Sequence, residues 1–445
     1  MSVGTQVRFL FALGVLFLAL TSHRAAAAPV SVALGASVVP LHGPWRFHTG
    51  DDPRWADPSF DDSDWESIDL TPAPGAHDAD VGLPGYVPGW LARGHSGYWG
   101  YAWYRIQVSV TGPPEYQLGL AGPPLVDEAY QVFLDGKLLG SSGTFSSAAP
   151  VVYGIQPRLF SLPALRAQTA VLAFRVWMGE DAMVTAGDTG GIHIAPLIGE
   201  ASGVEARYRL QWWETICGYV VDAVEPLVFV VLAGVSLIVF AFARTNRAYL
   251  WLSGALVLHA LLRVHQVIFY WTNWESTHGF DLLRQISLAP LVLAAWVMVW
   301  RAWFGVLEPR WLPRATGSLA LMLAVSQAAG YAWLSPLPRA VRDVTWVATE
   351  ATRCVFFALI VFVTYTGIRR HGREAWVALP AVILSCVALF PNELSALRVR
   401  GIWFPFGVGV SRTQYALAGL GVAIAVLLVR RLLEVRAHVS FQPSA

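Results

Sequence analysis

Glu225, Arg263, Glu350 and Arg353 are charged residues set deep inside long apolar stretches of this 445-residue chain. A charge in an apolar setting is costly and faces a partner or water. The four predict an interhelical polar network. Two other outcomes fit the spacing: Glu350 and Arg353 pair with each other at i,i+3, and Glu225 snorkels. Asp222, one turn before Pro226, reads as a hydrogen-bonded structural residue. His259 and His265 lie six apart and face different sides of a helix, whereas a metal pair on one face needs a spacing of three or four. Cys217, Cys354 and Cys386 neither form a metal site by spacing nor staple a disulfide framework. Walker, dinucleotide and serine-nucleophile motifs are missing, so no metal and no cofactor is expected.

The elements that place these residues follow from composition. Hydrophobic residues make up 55% and charged residues 14%, against about 25% charged in an ordinary soluble chain. Net charge is +1, but it is unevenly spread: residues 29–210 carry 19 acids and 10 bases, and residues 211–445 carry 11 acids and 19 arginines. Two parts in different solvents are expected. Lys137 is the only lysine and no basic cluster precedes residue 300, so nucleic-acid binding has no support. Arg8, the apolar run Phe9 to Leu20 and the stretch Ala25 to Ala28 make a secretory signal peptide over residues 1–28. An exported part then spans residues 29–205.

Seven apolar runs follow within residues 206–432, at 217–243, 248–270, 284–304, 316–334, 342–367, 374–391 and 407–430, with a short tail at 433–445. Each is near the length of a membrane-crossing helix. With the N-terminal part outside, inner loops and span ends receive 11 arginines and outer ones 6, which satisfies the positive-inside rule. Trp212, Trp213, Tyr270, Trp271, Trp274, Trp303, Trp311 and Trp403 gather at run ends as an interfacial belt. On this reading the chain is a multi-pass membrane protein with its N-terminal domain outside and its C-terminus inside. Glu225 then lies about eight residues into the first span, roughly 12 Å deep. Glu350 and Arg353 lie at a similar depth, and Arg263 occupies the same outer half.

The exported part reads as all-β. Strand patterns run through Tyr101–Val110, Tyr116–Leu120, Ala129–Leu134, Lys137–Gly140 and Ala170–Met178. Asp135-Gly136 marks a two-residue hairpin, because both central residues of a type I′ turn need positive φ. Many short strands with frequent Gly and Pro predict a sandwich.

Gly43-Pro44-Trp45-Arg46-Phe47 followed by Asp61-Asp62-Ser63-Asp64-Trp65 resembles the opening of galactose-binding-like jelly rolls, a domain type also found at the N-terminus of family 2 glycosidases. Gly100 to Arg105 and Val126 to Gly140 continue the resemblance. Jelly roll plus seven helices is similar to the bacterial seven-transmembrane receptors with diverse intracellular signalling modules. The resemblance implies an all-β jelly roll followed by an all-α seven-helix bundle, and a receptor that passes a ligand signal across the membrane. Such receptors usually end in a kinase, cyclase or phosphatase module. About fifteen residues follow Arg430 here, too few for one, so the resemblance implies either a separate cytoplasmic signalling partner or a shortened relative of such receptors. It also implies a bacterial cytoplasmic (inner) membrane, with the N-terminal domain in the periplasm and the C-terminus in the cytoplasm.

Within such a jelly roll, aromatic rings stack on sugars while carboxylates and arginines hydrogen-bond hydroxyls. Asp61, Asp64, Trp65, Trp99, Tyr104 and Arg105 are the candidate ligand residues for a carbohydrate or related small molecule. The competing reading is that alternating Trp and Tyr in strands form core; Trp45 and Phe47 are assigned to core outright. The acids from Asp51 to Asp64 lack a calcium-loop spacing and read as a solvated loop. Glycosidase chemistry needs two carboxylates across a cleft, and Glu66, Glu115, Asp127 and Glu128 are available. The resemblance is to a non-catalytic accessory domain, so no enzyme is expected. Transport, a role in an envelope polysaccharide system and membrane-anchored carbohydrate binding remain the alternatives.

Overall fold

The computed structural model describes residues 30–33, 38–79, 82–111, 117–147, 149–163, 169–184, 187–244, 246–399, 401–404 and 409–440. The expected signal peptide lies outside the described residues. A β-sheet region comes first and a helical part follows.

The larger sheet runs in the order Glu66–Ile68, Trp45–Thr49, Gly100–Thr111, Thr169–Met178, Ala129–Leu134 and Lys137–Ser142, with Val30–Ala33 added parallel to Gly100–Thr111. The smaller sheet runs Leu159–Ser161, Leu118–Ala121, Leu197–Glu200 and Val39–Pro40. Alternation along the central strand decides the layers. Ala102, Tyr104, Ile106 and Val108 face a core shared with Leu118, Leu120, Phe160 and Ile198 of the smaller sheet. Trp103 faces the other way, into a second cluster with Trp65, Ala56 and Ala173. Both faces of this strand are therefore buried, which is why it reads as a nearly continuous apolar run. Trp45 is wholly buried and donates from Nε1 to the Leu41 carbonyl at 2.8 Å, so its one polar atom is satisfied inside the core. At the hairpin, Asp135 and Gly136 have φ of 46° and 79°, the left-handed backbone that the Asp-Gly pair favours.

The helical part comprises α1 (Ala201–Gly218), α2 (Val220–Phe242), α3 (Ala248–Trp271), α4 (Ala289–Trp303), α5 (Leu312–Gly330), α6 (Arg339–His371), α7 (Leu379–Leu389) and α8 (Arg412–Ser440). Five segments are long and apolar enough to cross a membrane: Ala201–Phe242, Ala248–Trp271, Thr277–Trp303, Arg339–Arg370 and Arg412–Leu433. The other two apolar runs of the sequence fall on α5, of 19 residues, and α7, of only 11. Pro391 ends the sixth run early because proline cannot continue the hydrogen-bond ladder. Helix α2 packs on α3 and α8, α4 packs on α3, α5 and α6, and α7 packs on α8. Trp296 and Trp300 of α4 stack at 5.6 Å in the centre, and Trp300 Nε1 donates to Ser385 Oγ of α7 at 3.2 Å. Leu227, Val231, Leu321, Val347 and Val422 instead point outward, forming the apolar exterior that a lipid environment requires.

Two groups of the β region hold a proton more tightly than such groups ordinarily do. Burial pushes the Glu128 carboxyl up to about 7; the Gly179 N–H at 2.7 Å opposes this, and the charges of Asp127, Asp181 and Asp281 add to it. Burial pulls His193 down, but the Asp127 carboxylate at 2.7 Å and the Val87 carbonyl at 2.8 Å favour the doubly protonated ring, so the net shift is upward. Raised values mean that the folded form holds these protons more tightly, so stability falls as pH rises through them. The β region is expected to be more stable at pH 5 than at pH 8. Glu128→Gln removes much of the Glu128 share and raises the pH 8 midpoint by roughly 2–6 °C, corresponding to about 1–2 kcal/mol. Thermal unfolding of the full chain followed by near-UV circular dichroism checks this; an unchanged slope between pH 5 and 8 refutes it.

Candidate functional site

The six residues expected to bind a ligand are divided among three places. Arg105 is buried on the outward face of the larger sheet, with Nε on Asp62 Oδ2 at 2.7 Å and Nη1 on the carbonyls of Trp55 and Asp57. Its guanidinium lies over the rings of Phe60 and Trp65 at 5.6 and 5.9 Å. Arg105 thus pins the 52–65 loop to the sheet, and Trp65 is buried beneath that loop. Asp61 beside them is exposed and caps the Ser63 N–H at 3.1 Å, and Asp64 is exposed. Tyr104 is buried in the core between the two sheets, where its ring meets Phe47 at 4.8 Å. Trp99 alone is an exposed aromatic, set edge-on to Trp177 at 6.3 Å.

A polar cavity of about 360 Å³ lies among the helices, at their end nearest the β region. Its wall carries Arg263, Arg284, Arg353, Arg412 and Asp222, with Gln266, Gln285, Asn392 and Gln414 between them, and Ala79 of the β region contributes at the rim. Asp222 is buried in the first turn of α2, so its carboxylate needs partners there. It has two: the Arg263 guanidinium and Gln414 Nε2, the latter at 2.7 Å. The same amide donates to the Gly218 carbonyl at 2.8 Å, which ties α8 to the α1–α2 joint. Arg263 also meets Glu225 Oε2 at 3.2 Å and donates to Gln266 Oε1 at 3.0 Å. The segment Asp281–Leu288 is a π-helix leading into α4, and its wider turn carries Arg284 and Gln285 onto the wall. Arg284 Nη2 donates to the same Gln266 oxygen at 3.1 Å.

Of the four charges singled out in the sequence, Glu225 and Arg263 meet. Arg353 instead grips Glu393 with two parallel bonds of 2.7 and 3.1 Å and donates to the Leu389 carbonyl at 2.9 Å. Glu350 is exposed on α6. Sequence reasoning missed Glu393, Arg284, Arg412 and Gln414. Glu393 and Arg412 sit beside Pro391 and Ser411, at the boundaries of apolar runs, where a charge looks merely solvated.

The β region is fastened to the helices just beside this cavity. Glu180 pairs with Arg342 of α6 at 2.5 Å, and Asp181 Oδ1 accepts from the Ala332 N–H at 2.7 Å. The Thr277 N–H donates to the Val152 carbonyl at 2.9 Å, and the His77 ring meets Phe404 edge-on at 4.7 Å. A Cβ at Gly154 would fall 2.4 Å from the Phe269 carbonyl, so only glycine permits this approach to α3. Helix α1 packs on the Leu118–Ala121 strand and leads into α2 at Tyr219.

No family model matches the chain, and no curated protein matches it. Among solved structures, the chain is similar to a Bacteroides uniformis beta-glucuronidase, at 22% identity and TM-score 0.27 over 36% of this chain and 17% of that one. A glycosyl hydrolase family 2 member from Bacteroides cellulosilyticus matches at 19% identity and TM-score 0.26, over 36% of this chain and 20% of that one. A Bifidobacterium dentium beta-glucuronidase complexed with coumarin-3-O-glucuronide matches at 16% identity and TM-score 0.26, over 39% and 32%. The chain spans less than a third of the length of each.

Two outcomes test the geometry. Arg105→Leu leaves Asp62 and the carbonyls of Trp55, Asp57 and Phe60 without their donor, and is expected to destabilise the β region by about 3–5 kcal/mol. Limited proteolysis should then cut within the 52–65 loop, and a loop that stays resistant contradicts the pinning role. Arg263→Gln and Glu225→Gln are each expected to lower the thermal midpoint of the chain in nanodiscs. The double variant should fall by less than the sum of the two, with a coupling of about 1–3 kcal/mol.

Proposed function

We propose that the chain is a membrane receptor. In this reading its β region is a periplasmic jelly roll of the galactose-binding-like type that takes a small-molecule or carbohydrate ligand. The two shorter apolar helices α5 and α7 complete a seven-span bundle in the cytoplasmic membrane. The bundle carries a conformational signal to a separate cytoplasmic protein, and no step of this scheme requires catalysis.

The observation that supports the reading best is the fastening of the β region. A domain held only by a tether would move without consequence for the helices. Here the Glu180–Arg342 pair, the Asp181–Ala332 bond and the α1–α2 continuity join it to three parts of the helical half. A ligand that prefers one docked arrangement therefore favours one helix packing, by as much as its affinities for the two arrangements differ. Transport is the second reading, favoured by the polar cavity lying among helices rather than in the β region.

The test uses the full chain in nanodiscs and a panel of mono- and oligosaccharides, with spin labels at the far ends of α6 and α8. A receptor shows a saturable change in the inter-label distance with a bound sugar, and loses it in Glu180→Arg while binding persists. Binding with no distance change in the unmodified chain refutes signalling and leaves an anchored binding protein. Sugar uptake into proteoliposomes supports transport instead.

A further inference from the structure

We propose that the cavity among the helices is a binding site for a small oxyanion, a solute or headgroup bearing carboxylate or phosphate. This site lies among the helices, apart from the β region that the receptor reading gives a ligand, and stands whether or not that reading holds.

The charge count of the wall is the starting point. Its described residues include four guanidinium groups and one carboxylate, Asp222. Glu225 and Glu393 stand behind the wall and are already engaged, Glu225 on Arg263 and Glu393 on both oxygens with Arg353. At contact distance these three carboxylates answer two of the four arginines. Arg263 is bracketed by Asp222 and Glu225, and Arg353 is matched by Glu393. Among the described residues no carboxylate lies within 4 Å of Arg284; Asp281 of the same π-helix acts on it from farther off and is hydrogen-bonded to Tyr331. Its hydrogen-bond partner is a neutral amide oxygen, Gln266 Oε1, which also accepts from Arg263. Two guanidinium groups therefore converge on one neutral acceptor. Like charges at that separation repel, and an anion between them and the opposite wall offsets the repulsion.

The remaining features of the wall suit the same ligand. A guanidinium offers five N–H donors in a planar fork that matches carboxylate or phosphate oxygens. On the opposite side Arg412 is held in place by the carbonyls of Val399 and Pro391, at 2.7 and 2.6 Å, and by Ser395 Oγ at 3.1 Å. It is thereby oriented before any ligand arrives, which lowers the ordering cost of binding. Gln285, Asn392 and Thr413 add neutral groups for hydroxyls or further oxygens. A volume of about 360 Å³ lies at the lower end of the range for small-molecule sites. It excludes a polysaccharide chain and admits one small solute or a single headgroup. Ala79 places the rim at the β region, so a solute arriving from that side passes the junction.

The experiment uses the full chain in nanodiscs of neutral phosphatidylcholine, with inorganic phosphate, succinate and citrate as probes and sodium chloride at matched ionic strength as control. At least one probe should raise the thermal midpoint saturably where chloride does not. Arg284→Gln should weaken that probe's apparent affinity 10- to 100-fold, Arg284→Lys should retain part of it, and Arg310→Gln, a distant exposed arginine, should leave it unchanged. A second arm co-purifies the chain with phosphatidylglycerol and counts bound lipid by native mass spectrometry. Lipid retained by the unmodified chain and lost in Arg284→Gln assigns the oxyanion to a headgroup; solute binding assigns it to a free anion. The proposal is overturned if neither solutes nor phosphatidylglycerol bind, or if Arg284→Gln and Arg284→Lys, both folded by circular dichroism, bind as well as the unmodified chain.

Discussion

A guanidinium buried inside a helical bundle has to be matched, and the matching of Arg263 organises the helical half. It sits on α3 between Asp222 and Glu225 of α2, while Gln414 of α8 holds Asp222 from the other side. Three helices are thus clamped by groups that would each be costly alone in an apolar setting. The apolar contacts around them, Phe229, Trp296, Phe356 and Leu420 among others, provide burial that many alternative packings could also provide. The polar clamp is directional and selects one packing from these.

The same logic operates in the β region, where Arg105 is the buried charge. Its partners are one carboxylate, Asp62, and backbone carbonyls of a loop, with the neighbouring rings of Phe60 and Trp65 against its guanidinium. This arrangement lets the central strand bury both faces. One face joins the core between the sheets, and the other is covered by a loop that would otherwise be solvated. An arginine that looked suited to ligand hydroxyls is consumed in holding the fold together. The acids around it behave alike: Asp51 pairs with Arg175, Asp52 with Arg54, and Asp57 and Asp61 cap neighbouring serines.

The two halves then meet through a mixture of backbone bonds, one strong ion pair and close approaches at glycine. Such a junction is directional, because each bond sets one group of the β region against one group of the helical part. Helices α3 and α6 serve both places, carrying Arg263 and Arg353 to the cavity and Phe269 and Arg342 to the junction.

Much of this architecture follows from the sequence alone, because hydropathy, strand alternation and turn chemistry are local properties. The β region, the central strand at Gly100–Thr111, the Asp135-Gly136 hairpin and the apolar helices are all legible in this way. So is the expectation that Glu225 and Arg263 need partners, since the cost of burying a charge does not depend on which partner answers it. What the tertiary structure decides is the identity of each partner. Arg353 is three residues from Glu350 but pairs with Glu393, forty residues away, because α6 turns that side toward the end of α7. Tyr104 and Arg105 are adjacent in sequence yet belong to opposite faces of one sheet, one in the core and one beneath a loop. Arg284 and Arg412 acquire meaning only when a π-helical turn and a chain reversal bring them to one cavity. Local sequence sets which groups must be satisfied; only long-range packing sets what satisfies them, because the contacts joining distant segments leave no periodic signal along the chain.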